Sequence, residues 1–310
     1  MPRFFPYLPV LGLSLTLLFV LGTCTSPSNK PSPNGRAAPS EATTKTIVDP
    51  SQPPQLTLLW ETDTLLRTVE SVHYDAITQA LYTANIDGHF MAKDGRGSIA
   101  KVSLDGDILE AEWLAGLDAP TGLCTHRGQL FTTDIDRVHR IDLASGTLLE
   151  TIPLPEAKAL NDITADPQGK LYCSDTAGDR IFSCYEGVVE TALDSIRTPN
   201  GLYFHQSQLY VAQWTPQRLQ SWNPQTGELV AIAAGLPQAD GLEALTDGSF
   251  WVSSWGGMVH WVAPDGQVHQ LLDTRAEGIQ AADLTWIPER QCLVVACFDN
   301  HRLRAYRFQE

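Results

Sequence analysis

The chain has 310 residues, 43% of them hydrophobic and 18% charged, which is enough apolar material for one sizeable core and too much for disorder throughout. Its formal charge is -15 at pH 7. So acidic a body repels phosphate backbones, which excludes nucleic acid as a natural partner.

Arg3 leads into an apolar run from Leu11 to Leu21, and Gly22-Thr23-Cys24 is followed by polar sequence. Residues 1–24 therefore read as an export signal. The order Leu21-Gly22-Thr23-Cys24 resembles a bacterial lipoprotein processing site, which implies lipidation of Cys24 and a periplasmic or cell-surface protein. Thr23 departs from the small residue usual before that cysteine, which leaves a signal anchor or an ordinary signal peptide as alternatives. Residues 25–54 are rich in Pro, Ser and Thr and nearly free of large apolar side chains, as expected of a disordered linker. No later segment approaches the roughly 20 apolar residues that a membrane span needs, so membrane contact is expected only through the N-terminal anchor.

From Leu56 onward, short apolar runs alternate with Gly, Asp, Pro and Asn, and no helical period is sustained. That pattern predicts an all-β domain over residues 55–310. One strand pattern recurs six times, marked by Tyr82, Phe131, Tyr172, Tyr210, Trp251 and Leu293, at spacings of 49, 41, 38, 41 and 42 residues. Such a period is the length of a four-stranded blade, so the expected fold is a six-bladed β-propeller of antiparallel blades. The strand at residues 56–63 has no repeat of its own and is expected to close the ring on the last blade.

A second motif precedes each marker by 10 to 12 residues: Glu70-Ser71-Val72, Thr121-Gly122-Leu123, Asn161-Asp162-Ile163, Asn200-Gly201-Leu202, Asp240-Gly241-Leu242 and Ala282-Asp283-Leu284. These are the expected starts of the innermost strands. Six inner strands lining one channel would bring Glu70, Asn161, Asn200 and Asp240 around its axis. Two carboxylates and two amide oxygens make a set that suits calcium. Magnesium or manganese would fit an octahedral version, and the lack of His or Cys makes zinc the least suited alternative. Asn-Gly and Asp-Gly are also common tight-turn dipeptides. Their recurrence at the same place in each repeat, apart from the hairpin turns, favours the metal reading.

TVESVHYD, ALNDI, TPNGL and ADGLE resemble the motifs of the senescence-marker-protein/gluconolactonase/LRE-like (regucalcin-like) family of six-bladed propellers, over residues 56–310. The resemblance implies that Glu70, Asn161, Asn200 and Asp240 hold one catalytic divalent ion and that the activity is hydrolysis of a small lactone or ester. Asp240 is the expected general base, with Asp162 and Asp283 as second choices or supporting groups. Turns returning to the same end of the ring are expected to supply a pocket wall from Asn85, Asp87, Asp134, Asp175, Trp214, Trp255, Asp299 and His301, along with Thr121. Sugar-lactone relatives place a basic residue where this chain has Ala159, which counts against a charged sugar-acid lactone. The rival readings are a ligand- or protein-binding propeller with a structural metal and a strictosidine-synthase-like propeller.

Beyond Cys24 the chain carries Cys124, Cys173, Cys184, Cys292 and Cys297, an odd number that excludes a dense disulfide framework. Cys173 and Cys184 flank a turn and are expected either to face each other across a hairpin or to stand as two buried thiols.

Overall fold

The computed structural model describes residues 55–309. The expected export signal, Cys24 and the expected linker lie outside the described residues. Among the described residues no helix is long and apolar enough to cross a membrane.

The strands form six four-stranded sheets, each built from neighbouring strands in antiparallel order. The inner strands are Val69–Asp75, Pro120–His126, Leu160–Ala165, Pro199–His205, Ala239–Ala244 and Leu284–Ile287, and each packs on the inner strand of the next blade. The ring closes because the first inner strand also contacts the sixth. Gln55–Glu61 pairs antiparallel with Arg302–Gln309 and supplies the outermost strand of the sixth blade. Both the six-bladed architecture and the closure expected from the repeat are found here.

The recurring marker pair owes its composition to burial on both faces. Successive side chains of a strand point to opposite faces, and each face of an inner blade strand packs against a different neighbouring blade. Leu81 lies in the cluster shared with the sixth blade, whereas Tyr82 lies in the cluster shared with the second. Phe250 and Trp251 divide in the same way between the fourth and sixth blades. Six apolar clusters thus fill the six gaps between blades, and the second strand of the first blade, Ala80–Asn85, is buried at every position.

One connection departs from the rest. Residues 86–96 join the second strand of the first blade to its third strand, Gly97–Val102, while the equivalent connections elsewhere are two to four residues long. This insertion accounts for the 49-residue first spacing.

The five cysteines of the described residues are free and buried. Cys173 stands opposite Phe182 and Cys184 opposite Leu171, so the two thiols are offset by two residues and do not face one another across the hairpin. The reading as buried thiols is the one the register supports.

Candidate metal centre and pocket

Five of the six motifs that open the inner strands sit in a β-bulge. Asn161 and Asp162 together oppose Ser174, Asn200 and Gly201 oppose Ala212, Asp240 and Gly241 oppose Ser253, and Thr121 and Gly122 oppose Thr133. Glu70 is the extra residue where Val69 pairs with Asn85 and Ser71 with Ala84. A bulge kinks the strand and re-aims a side chain, here toward the axis. Hydroxyls of the second strands hold the bulges: Gly122 N–H donates to Thr133 Oγ1 at 3.0 Å, Asp162 N–H to Ser174 Oγ at 2.9 Å, and Gly241 N–H to Ser253 Oγ at 2.7 Å.

The Asn-Gly and Asp-Gly pairs are therefore not hairpin turns. None of Gly122, Gly201 and Gly241 has a positive φ. Their lack of a side chain is a matter of space, because neighbouring inner strands converge at the axis. A Cβ on Gly201 would overlap the carbonyl oxygen of Asp240, and one on Gly241 would overlap the Asp283 carboxylate.

The convergence encloses a cavity of about 10 Å³, lined by Glu70, Gly122, Asn161, Asp162, Asn200, Gly201, Asp240, Gly241 and Asp283. That is room for one water or one ion. The four residues expected to meet do meet here, although they come from four blades. Burial, reinforced by Asp240, Asp283 and Asp162, pushes the Glu70 carboxyl well above the usual range, and a hydrogen bond from Asn161 opposes the rise. Burial and the charges of Asp283 and Asp162 likewise raise Asp240, opposed by a hydrogen bond from Asn200. No Lys, Arg or His lines this cavity to balance the four carboxyls. Asn200 is 3% exposed, yet its Oδ1 has no hydrogen-bond partner. A buried acceptor left unsatisfied costs about 1–3 kcal/mol, and buried polar groups are rarely left so. Among the described residues no three His, Cys, Asp or Glu side chains converge on a metal-sized point. The donor set here consists of two carboxylates and two amides.

Asp162 and Asp283 have a different task. Asp162 Oδ2 accepts the Leu202 N–H at 2.6 Å and Oδ1 accepts the Ile163 N–H at 2.7 Å. Asp283 Oδ1 accepts the Leu284 N–H at 2.7 Å, and Oδ2 accepts from Ser71 Oγ at 2.5 Å. With both oxygens engaged, these carboxylates link adjacent blades.

Above the small cavity lies a pocket of about 510 Å³ whose floor is Glu70, Asn161, Asn200 and Asp240. Thr121, Trp214 and Trp255 line it as expected, but several other residues expected in its wall do not. Asn85 is buried and accepts from Thr83 Oγ1 at 3.1 Å. Asp134 turns inward to accept the Ala119 and Asp118 N–H groups at 2.7 and 2.9 Å, and pairs with His139 Nε2 at 3.0 Å. Asp175 accepts the Ala159 N–H at 2.9 Å and the Lys158 N–H at 3.1 Å. His301 Nδ1 accepts the Thr68 N–H at 2.9 Å. Asp87 forms ion pairs with Arg67 and Arg96, and Asp299 accepts from Gln280. At the ends of these strands, backbone N–H groups without a ladder partner need acceptors, and the carboxylates and the imidazole supply them. The wall is completed by residues that the motif reading missed, chiefly Ile86, Phe90, Met91 and Phe298. The long first spacing was the one sequence signal for Phe90 and Met91.

At the other end of the inner strands, beyond Asp162 and Asp283, a second cavity of about 370 Å³ is lined by His73, Tyr203, Glu243 and Thr285, among others. Burial pushes the Glu243 carboxyl up to about 8, although Thr285 Oγ1 donates to it at 2.9 Å. Burial pulls the His73 imidazole down to about 4.

No protein-family model matches the sequence, and no curated protein does. Solved structures do match. A structural-genomics target presented as a candidate gluconolactonase superposes with a TM-score of 0.63 at 19% identity, covering 84% of this chain and 94% of its own. The fold is shared with gluconolactonases. A gluconolactonase from Xanthomonas campestris gives 0.62 at 18% identity over 84% of this chain and 97% of its own. A virginiamycin B lyase from Staphylococcus aureus, solved in a catalytically inactive form with quinupristin, gives 0.57 at 14% identity over 82% and 99%. At these identities the likeness shows the propeller architecture, on which unrelated chemistries are carried.

Proposed function

We propose that the protein is a divalent-metal-dependent hydrolase of a small lactone or ester, with calcium as the favoured ion. The observation that carries this reading is the buried Asn200 Oδ1, unpartnered beside carboxyls that no basic side chain balances. Glu70, Asn161, Asn200 and Asp240 would hold the ion, since an all-oxygen set with two carboxylates is what a hard cation takes. A bound divalent ion supplies Lewis-acid polarisation of a carbonyl and lowers the pKa of water.

The chain's own residues supply the rest. Asp240 lines both the small cavity and the pocket floor, so its carboxylate is placed to take a proton from a water attacking a carbonyl above it. The Asn200 amide beside Asp240 favours the ionised form of that carboxyl, the form that acts as a base. The apolar walls keep bulk water from the reacting group, which strengthens every electrostatic contact at the floor. The gluconolactonase neighbours support this reading at the level of the fold. The signal-like residues 1–24 support a site of action outside the cytoplasm, with Cys24 as the proposed anchor.

Elemental analysis of the purified full chain should find one calcium per chain, and chelation should lower the melting temperature. A panel of lactones and esters should then reveal turnover that calcium restores. Metal-loaded protein inert toward the whole panel would leave a binding propeller with a structural ion as the better reading.

A further inference from the structure

We propose that the substrate is a neutral, apolar-chained lactone or ester, held under a lip formed by Phe90 and Met91; this rests on the hydrolase reading and names its substrate class. The pocket of about 510 Å³ is the size that small-molecule sites occupy. Its carboxyl and amide groups are all at the floor, in the proposed metal-binding set, and the hydroxyls of Thr121, Thr176 and Thr198 are already bonded to Thr133 Oγ1 and to the carbonyls of Pro199 and Thr215. Above them stands a continuous aromatic wall: the Trp214 and Trp255 ring centroids are 6.3 Å apart, and those of Trp255 and Phe298 are 4.6 Å apart.

The opposite side of the mouth comes from the eleven-residue connection of the first blade. Phe90 is 56% exposed and Met91 37% exposed, yet both line the pocket. Large apolar side chains held in the open at the mouth of a cavity mark a ligand-contacting surface. The loop is fastened where it stands. Lys93 Nζ meets Asp136 Oδ2 at 2.5 Å, Gly95 N–H donates to Asp118 Oδ1 at 3.1 Å, and the His89 ring stacks on Phe90 at 4.6 Å. Asp136 belongs to the second blade and Asp118 to the connection leading into it, so the insertion is tied to the second blade and puts an apolar edge over the pocket.

The same lining disfavours the alternatives. No Lys, Arg or His lines the pocket, so an anionic sugar-acid or phosphate group would find no partner among its walls. A polyhydroxylated ring would turn most of its hydroxyls toward tryptophan, phenylalanine and methionine and leave them unpaired. By contrast, each methylene buried against these walls raises affinity about fourfold.

Calcium-loaded protein assayed with γ-decalactone and glucono-1,5-lactone should show a higher kcat/KM for the former. Intrinsic tryptophan fluorescence should respond to the C10 lactam analogue, which tests the pocket apart from turnover. In a Phe90→Ala/Met91→Ala variant, the kcat/KM ratio of γ-decalactone to γ-butyrolactone should fall about tenfold, with weaker lactam binding. A preference for gluconolactone, or an unchanged ratio in the variant, would overturn the substrate class and leave the hydrolase reading standing. Lactam binding without turnover of any lactone would support the apolar pocket and overturn the hydrolase. Neither binding nor turnover would overturn both.

Discussion

Ser71 Oγ donates to Asp283 Oδ2 at 2.5 Å, which ties the residue after Glu70 in the first blade to a carboxylate of the sixth. Asp162 makes the equivalent link from the third blade to the Leu202 N–H of the fourth. The second position of each motif thus belongs to the joints between blades, while Glu70, Asn161, Asn200 and Asp240 at the first position line the axial cavity and Ala282 packs in the apolar cluster between the first and sixth blades. Where that joint is made by close backbone approach the residue is Gly, and where it is made by a side chain it is Asp or Ser.

Asp240→Asn separates charge from geometry. The amide keeps the shape and removes one of four crowded carboxyls whose charge burial and its neighbours disfavour, so the chelated variant should be more stable than chelated wild type at neutral pH. The gain in melting temperature on adding calcium should shrink in the same variant, and turnover should be lost. Calorimetry with and without chelator measures the first two. An undiminished calcium response in the variant would remove Asp240 from the ligand set.

Gly241→Ala tests the crowding at the axis. The added methyl would meet the Asp283 Cα at 2.8 Å and the Leu284 N at 2.9 Å, backbone atoms that cannot rotate away. Overpacking of this kind costs about 1–3 kcal/mol. Urea unfolding should show a lower midpoint with an unchanged slope, whereas Gly187→Ala, which meets nothing nearby but has a positive φ, offers a comparison of backbone strain alone.

Glu243 should make stability depend on pH. Its folded-state pKa is raised by burial to about 8, above an unfolded value of roughly 4.3, so its contribution is complete below about pH 4 and is lost as pH rises toward 8. Glu243→Gln, compared with wild type at saturating calcium, should be more stable by a few kcal/mol at pH 8 and unchanged at pH 4. Parallel melting curves across that range would rule the effect out.

The five thiols of the propeller should be silent in the native protein. All are buried, and burial pushes Cys292 up to about 11 and Cys297 up to about 12, with the other three raised as well. A disulfide-exchange reagent should titrate none of them until denaturant is added, when all five react. Rapid modification of any one without denaturant would contradict the packing between blades.

Much of this architecture is legible in the chain. A blade is four strands that follow one another, so Tyr82, Phe131, Tyr172, Tyr210, Trp251 and Leu293 recur at nearly one period, and both faces of their strands demand apolar residues. The identity of the axial residues follows from the same register, because Glu70, Asn161, Asn200 and Asp240 occupy one place in the repeat. What the strands' order does not encode is how closely the inner strands approach. Only the closed ring shows that Gly201 and Gly241 are required by a neighbour's backbone, that Asp134, Asp175 and His301 serve strand ends while Asn85 is buried against Thr83, and that Phe90, Met91 and Phe298 line one pocket above the floor. Period is a property of short-range hydrogen bonding and hydrophobic alternation, written in each repeat. The pocket is made by contacts between residues far apart in the chain, which exist only once the six blades have closed.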